Sequence, residues 1–124
     1  MNTHETYVTL ETAKLLKEAG FDWKCYGNIT DGDTEPFISI FAETNSSLED
    51  DEYSAPTLEV AQRWLRELKG VDVFAYRNEP KDKFESVVSF DEEWSSTGMC
   101  INKYEDALEA GIKKALEIIL EKGE

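Results

Sequence analysis

Histidine and cysteine are scarce in this chain, which has one histidine, His4, and two cysteines, Cys25 and Cys100, among 124 residues. A Ser or Cys nucleophile paired with a histidine base would have to use His4, near the N-terminus. A zinc site needs about four ligands, and no Cys-x-x-Cys pair is present. We therefore expect neither histidine-assisted nucleophilic catalysis nor a zinc site.

Long apolar runs and sequence motifs for phosphate binding or hydrolysis are also missing. No stretch approaches the roughly 18 apolar residues of a membrane-spanning helix. The opening MNTHETYVTL has no basic segment followed by an apolar one, as a secretory signal would. The patterns GxxxxGK[ST], GxGxxG, GxSxG and HExxH do not occur. We expect a cytoplasmic protein with reduced cysteines, no catalytic residues, no cofactor, no metal and no membrane partner.

Positive charge is the third shortage. The chain has 27 acidic and 13 basic residues, a formal net charge of −14. No basic residue lies between Lys24 and Arg63, a segment that holds nine acidic residues. Such a field repels DNA, RNA and anionic membranes and attracts basic protein surfaces. Solubility alone is the simpler interpretation, because acidic surfaces favour it.

The apolar residues that are present predict an α+β fold in the order α-β-β-α-β-β-β-α. We expect a flexible end over residues 1–8 and a single domain over 9–124, with a mainly antiparallel sheet and helices packed on one face. Helices are predicted at about 10–19, from Pro56 to Gly70, and near the C-terminus after Asn102. The predicted strands are residues 21–26, 36–43, 71–77, 84–90 and 99–102.

Turn and cap residues place the ends of these elements. Thr9 is predicted to cap the first helix, and Gly20 and Gly70 to end the first and second. Leu58, Ala61, Trp64, Leu65 and Leu68 recur at helical spacing and predict the buried stripe of the second helix. The strand PFISIFAE is apolar on both faces, so we expect it to be covered.

The acidic segments offer candidate ligands with a simpler alternative. Asp31, Asp33 and Glu35 in DGDTE alternate as in a calcium loop, but the twelfth position of such a loop is Ala42 instead of glutamate. A turn between strands is the favoured interpretation. The run EDDE (49–52) is interpreted as a solvated loop.

Two further features could bind a partner. Trp94 lies in the polar stretch DEEWSS, where it is either a contact for another protein or folded back on a sheet edge. Arg63 and Arg66 lie on the polar face of the second helix, where they could bind phosphate or simply keep the helix soluble.

Several stretches resemble a family of small uncharacterised proteins of Bacteroides-type gut bacteria, their phages and prophages. The matching motifs are SAPT (54–57), QRWLRE (62–67), YEDALEAG (104–111) and AL (115–116), with TAKLLKEAGFDW (12–23) resembling the opening helix and strand. Residues 28–53 and 78–99 show no matching pattern. The resemblance implies no activity or site residues, only a phage-type setting in which small acidic proteins often bind a host protein.

We therefore predict a non-enzymatic interaction protein that binds a basic surface of a host protein. The sharper form of this prediction is an inhibitor, such as an anti-CRISPR or other anti-defence factor that imitates nucleic acid. The alternatives are a small-ligand or enzymatic domain with an unrecognised pocket, or a phage assembly part. The candidate partner-binding residues are Asp31, Asp33, Glu35, Glu43, Glu49, Asp50, Asp51, Glu52 and Trp94, with Arg63 and Arg66 as weaker candidates.

Overall fold

The structure is a computed structural model that describes residues 6–79, 83–90, 93–96 and 101–122. These residues form helices α1 (Leu10–Glu18), α2 (Leu58–Lys69) and α3 (Tyr104–Glu121) and strands β1 (Cys25–Thr30), β2 (Phe37–Glu43), β3 (Glu52–Ser54), β4 (Val71–Asn78), β5 (Lys83–Phe90) and β6 (Glu93–Ser96). The two sheets are antiparallel, which confirms the predicted α+β class. The chain divides into two compact units, residues 1–59 and 60–124. The single domain over 9–124 stays a prediction.

The first unit is built on a three-stranded sheet in the order β2-β1-β3. Strand β3 begins at Glu52, the last residue of the predicted EDDE loop (49–52), and pairs with β1, so that Ile29 faces Tyr53 and Thr30 faces Glu52. Helix α1 packs against β3 and β1. Tyr7 and Val8, which fall in the predicted flexible end, lie against the chain just before α2: Tyr7 bridges Thr57, and the Val8 N–H donates to Pro56 at 3.0 Å.

Helix α1 ends as its sequence predicts. Gly20 has a φ of +100°, a conformation that a residue with a side chain rarely adopts. The N–H of Gly20 donates to Lys17 at 3.1 Å and that of Phe21 to Leu16 at 2.9 Å. These two bonds satisfy carbonyls that the helix end would leave unpaired. Thr9 occupies the N-cap position, although its side chain makes no capping hydrogen bond.

Helix α2 also ends at its predicted glycine, Gly70, with a φ of +68°. Two other details of the prediction are wrong. The helix begins at Leu58, so Pro56 lies before the first helical turn, where it is buried. Leu68, predicted to be in the buried stripe, is 56% exposed, whereas Ala61, Trp64 and Leu65 are buried.

The second unit has a sheet in the order β4-β5-β6 with α3 packed on it. Strands β4 and β5 pair without interruption over eight residues, from Val71 opposite Phe90 to Asn78 opposite Lys83. Gly111 lets α3 come close, because a Cβ there would lie 2.8 Å from Val73 Cγ1 and 2.9 Å from Ser86 Cβ. Val73, Val88 and Ile112 are buried in this layer.

The last strand differs from the prediction. Strand β6 is formed by Glu93–Ser96, which the sequence placed in a loop. Of the predicted strand 99–102, Ile101 forms a bridge with Phe84, while residues 99 and 100 lie outside the described residues. Helix α3 begins at Tyr104 with Lys103 at its N-cap, so the N-x-x-E spacing of Asn102 and Glu105, which predicts a cap at Asn102, misplaces it by one residue. Within the described ranges, no helix is long and apolar enough to cross a membrane.

Candidate partner-binding surface

Strand pairing brings the two acidic segments of the first unit together. Segment 31–35 follows the end of β1, and segment 49–52 leads into β3. The N–H of Asp31 donates to the carbonyl of Asp51 at 3.0 Å, next to the pair of Thr30 and Glu52. Residues 31–35 and 49–52 together are called the acidic end. The sequence predicted both segments, but their contact depends on β3, which it did not predict.

Carboxylates within the acidic end shape its two turns. Asp33 Oδ2 accepts a hydrogen bond from the N–H of Thr30 at 3.2 Å. Glu52 Oε1 accepts one from the N–H of Glu49 at 3.1 Å. Such bonds from Asp or Glu to nearby backbone are typical of turns. Residues 31–35 therefore form a turn between strands, as the favoured interpretation predicted.

Two lysines of α1 contact the acidic end. Lys14 Nζ lies 3.1 Å from Asp31 Oδ1, and both side chains are about half exposed. The hydrogen bond to Asp31 and its negative charge raise the pKa of Lys14 above its usual value. Lys17 Nζ donates to the carbonyls of Glu49 at 2.9 Å and Glu52 at 2.8 Å. Two of the three lysines of the first unit are thus held against its own acidic segments.

Tyr53 lies beside both lysines and lines an open cleft. Lys17 Nζ is 5.1 Å and Lys14 Nζ 5.8 Å from the centre of its ring. The cleft has a volume of about 330 Å³ and is lined by Lys14, Lys17, Glu18 and Tyr53. Desolvation, followed by the charge of Asp31, raises the pKa of the Tyr53 hydroxyl.

The other acidic candidates have different positions. Glu35, Glu49, Asp50 and Asp51 are exposed at the acidic end. Glu43 lies at the far end of β2, opposite Cys25, and accepts a hydrogen bond from Ser47 at 3.1 Å. In the part of the chain that the structure describes, no three His, Cys, Asp or Glu side chains are grouped so that they could hold a metal ion.

Strand β2 carries an exposed apolar surface that the sequence interpretation missed. Phe37, Ile38, Ile40 and Phe41 are 67%, 47%, 84% and 70% exposed, so the prediction of a covered strand is wrong. The four residues are called the apolar patch. Helix α1 packs on β3 and β1, and β2 lies at the opposite edge of the sheet from β3, which leaves its side chains exposed. One signal in the sequence could have indicated the apolar patch, because no charged residue lies between Glu35 and Glu43.

A bulge within β2 lies in the same stretch as its two most exposed side chains, Ile40 and Phe41. Cys25 faces Glu43 and Gly27 faces Ile38, so four residues of β2, 39–42, lie opposite Tyr26 alone. The Ser39 hydroxyl accepts a hydrogen bond from the N–H of Phe41 at 3.0 Å. A bulge of this kind bends the strand and redirects its side chains.

The remaining candidates belong to the second unit. Trp94 lies in β6 opposite Ser89, and its ring and that of Phe74 make a T-shaped contact with 5.8 Å between centroids. It remains 66% exposed, so it both packs on the sheet and presents surface. Arg63 and Arg66 are exposed on α2, with Arg63 Nε 3.7 Å from Glu67 Oε2.

Comparison of the chain with protein-family models, with curated proteins and with solved structures gives no match. The resemblance to the phage-type family therefore stays a prediction, and the site is interpreted from its own residues.

Proposed function

We propose that this chain is a non-enzymatic interaction protein whose acidic end binds a basic surface of a partner protein. The observation that supports this function is the contact of segments 31–35 and 49–52 at one end of the first sheet. The contact concentrates carboxylates that are distant in sequence. A basic protein is the class of partner whose charge complements such a surface.

The charge of the first unit favours attraction over a distance. Residues 1–59 include thirteen acidic residues and three lysines, two of which bind the acidic end itself. The field outside the unit is therefore strongly negative. Such a field speeds encounter with a basic partner and repels DNA, RNA and anionic membranes. Binding should weaken as salt screens these charges.

In its sharper form, the proposal is that the acidic end imitates the phosphates of a nucleic acid. The partner would then be a nucleic-acid-binding enzyme, and the protein an inhibitor of phage or prophage type, such as an anti-CRISPR or other anti-defence factor. Two adjacent carboxylate-bearing segments and the resemblance described above support this form. It requires that the partner bind either this protein or nucleic acid, but not both.

The test replaces four exposed acids whose side chains do not make the turn-shaping bonds: Glu35→Lys, Glu49→Lys, Asp50→Lys and Asp51→Lys. The matched control makes the same change in charge on exposed acids of the second unit, with Asp72→Lys, Glu79→Lys, Glu117→Lys and Glu121→Lys. Wild type and both variants are immobilised and exposed to lysate of a Bacteroides-type host at low salt. Captured proteins are quantified by mass spectrometry.

The proposal expects basic proteins that bind wild type and control and are lost from the acidic-end variant. A capture profile that is the same for both variants would reject the acidic end as the binding surface. For a partner found in this way, a duplex oligonucleotide is added as competitor. Release of the partner supports imitation of nucleic acid, whereas simultaneous binding of both contradicts it.

A further inference from the structure

The apolar patch combines large side chains with unusual exposure. Ile40 and Phe41 are 84% and 70% exposed, in the bulge of residues 39–42. Single exposed apolar residues are common, but four within five positions of one edge strand concentrate apolar surface in the way that marks interaction sites. Burying such side chains in a partner stabilises a complex by removing apolar area from water.

The bulge favours contact through side chains over addition of a strand. A partner strand that extends a sheet needs a regular edge with evenly spaced N–H and C=O groups. Bulges interrupt that regularity and are one way in which proteins protect sheet edges. Residues 39–42 lie where β2 departs from its register with β1, so the exposed Ile40 and Phe41 are better placed to enter a pocket than to pair with a partner strand.

The charges around the patch select the partner. Glu35 and Glu43 border the patch in sequence, and no basic residue lies between Lys24 and Arg63. A second copy would bring two such acidic units together, each with thirteen acids and three lysines, which like-charge repulsion opposes. A pocket with an apolar floor and a rim of lysine or arginine complements both the patch and its borders.

We infer that Ile40 and Phe41 are the anchor of the complex and insert into an apolar pocket of the basic partner, whose rim carries lysine or arginine. This inference rests on the proposed function, since it takes the same basic protein as the partner. The two surfaces act on different steps. The acidic end speeds association, and the anchor slows dissociation because it is buried only in the docked complex.

The experiment has a capture stage and a kinetic stage. The photo-crosslinking residue p-benzoylphenylalanine replaces Phe41 in one variant and Leu68, 56% exposed on α2, in a control. Both are irradiated in host cells, and proteins joined at position 41 but not at 68 are identified. Each one is purified, and its association and dissociation rates are measured at about 50 and 300 mM salt, a range over which screening changes strongly.

The kinetic stage compares wild type, Ile40→Ser with Phe41→Ser, the acidic-end variant and the control Leu68→Ser. The anchor variant is expected to dissociate at least about tenfold faster with an unchanged salt dependence of association, as loss of a hot spot would cause. The acidic-end variant is expected to lose most of that salt dependence. Thermal melting verifies folding, and Ile40→Ser alone serves as the milder variant.

The inference is overturned if the anchor variant dissociates within twofold of wild type, or if position 41 crosslinks only to another copy of this chain. It is equally overturned if the pocket that receives position 41 has no basic rim. A different result would reject the proposed function but not the anchor. In that result, dissociation depends on Ile40 and Phe41, and the acidic-end variant associates as fast as wild type at both salt concentrations.

Discussion

Asn45 is a single buried amide that joins three parts of the first unit. Its Nδ2 donates to the carbonyl of Phe21 at 2.8 Å, and its Oδ1 accepts from the N–H of Ser54 at 2.9 Å. Asn45→Ala removes both hydrogen bonds to buried backbone and is expected to lower the free energy of unfolding by about 2–4 kcal/mol. Urea denaturation measures the loss. Ser46→Ala, at an exposed neighbour, should change it by less than about 0.5 kcal/mol.

Gly111 sets the distance between α3 and its sheet. In Gly111→Ala the new methyl group meets Val73 and Ser86 at under 3 Å, so helix or strand must shift. The expected loss of stability is about 1–3 kcal/mol, although alanine favours helix by about 1 kcal/mol over glycine. Glu117 lies on the exposed side of α3. The difference in stability between Glu117→Ala and Glu117→Gly therefore gives the helix preference of alanine over glycine without the close contact. Stabilisation by Gly111→Ala would show that this contact does not limit the packing.

Tyr53 should titrate above the usual range of tyrosine. Desolvation is the largest cause of its raised pKa, and the charge of Asp31 adds to it. Asp31→Asn should therefore lower the pKa without returning it to the ordinary value. The measurement is the tyrosinate absorbance of each protein minus that of its Tyr53→Phe derivative. Because the folded pKa is raised, the contribution of Tyr53 to stability is present below about pH 10 and is lost as pH rises through the folded pKa.

At the scale of elements, the strands should differ in hydrogen exchange. β5 is the central strand of its sheet and also packs against α3, whereas residues 39–42 of β2 have only Tyr26 opposite them. Amides of β5 should exchange far more slowly than those of 39–42, because exchange in β5 needs wider opening of the unit. Mass spectrometry of peptides covering 84–90 and 37–43 compares the two. Equal rates would show that the bulge is as protected as the core.

The helices could be predicted from sequence because their signals are local. Gly20 and Gly70 end their helices where the sequence indicates, and Ala61, Trp64 and Leu65 are buried at helical spacing. Each of these features depends on residues within a few positions of one another. The prediction for Leu68 was wrong because Leu68 is the last residue but one of α2, where spacing alone does not tell whether a neighbour covers it.

The strands were harder because their environment is set by distant partners. β2 is apolar on both faces, which favours a central covered strand, yet it lies at an edge. Nothing within residues 37–43 specifies strand order. β3 has three residues, Glu52–Ser54, and β6 four, Glu93–Ser96, and both are mostly polar. They form strands because they pair with the backbone of β1 and β5, and the local residue pattern does not indicate that pairing.

On the scale of the whole molecule, net charge should make stability depend on salt. The formal charge of −14 is concentrated in residues 1–59, and repulsion among these charges opposes the compact state. Raising NaCl from about 10 to 200 mM should therefore raise the thermal midpoint. The exposed Lys14–Asp31 pair is too weak to reverse this trend. A midpoint that falls with salt would mean that attractive pairs outweigh the repulsion.

The candidate site was predictable as a set of residues but not as a surface. The absence of bases between Lys24 and Arg63 identified the acidic segments directly. Their contact through Asp31 and Asp51 requires the β1–β3 pairing, which joins residues twenty or more positions apart. The apolar patch required knowledge of strand order, so it emerged from the fold.

The buried position of Asn45 also affects its susceptibility to deamidation, a slow chemical change of asparagine side chains. Asparagine followed by serine can deamidate when the next backbone nitrogen attacks the side-chain amide. Here that nitrogen belongs to Ser46 and is held by Asp22 Oδ1 at 2.8 Å, while both ends of the amide are bonded. The folded unit thus protects Asn45, and damage requires opening. The aspartate that deamidation leaves at position 45 has no N–H to donate to the Phe21 carbonyl. A deamidated unit would therefore open more readily than an intact one.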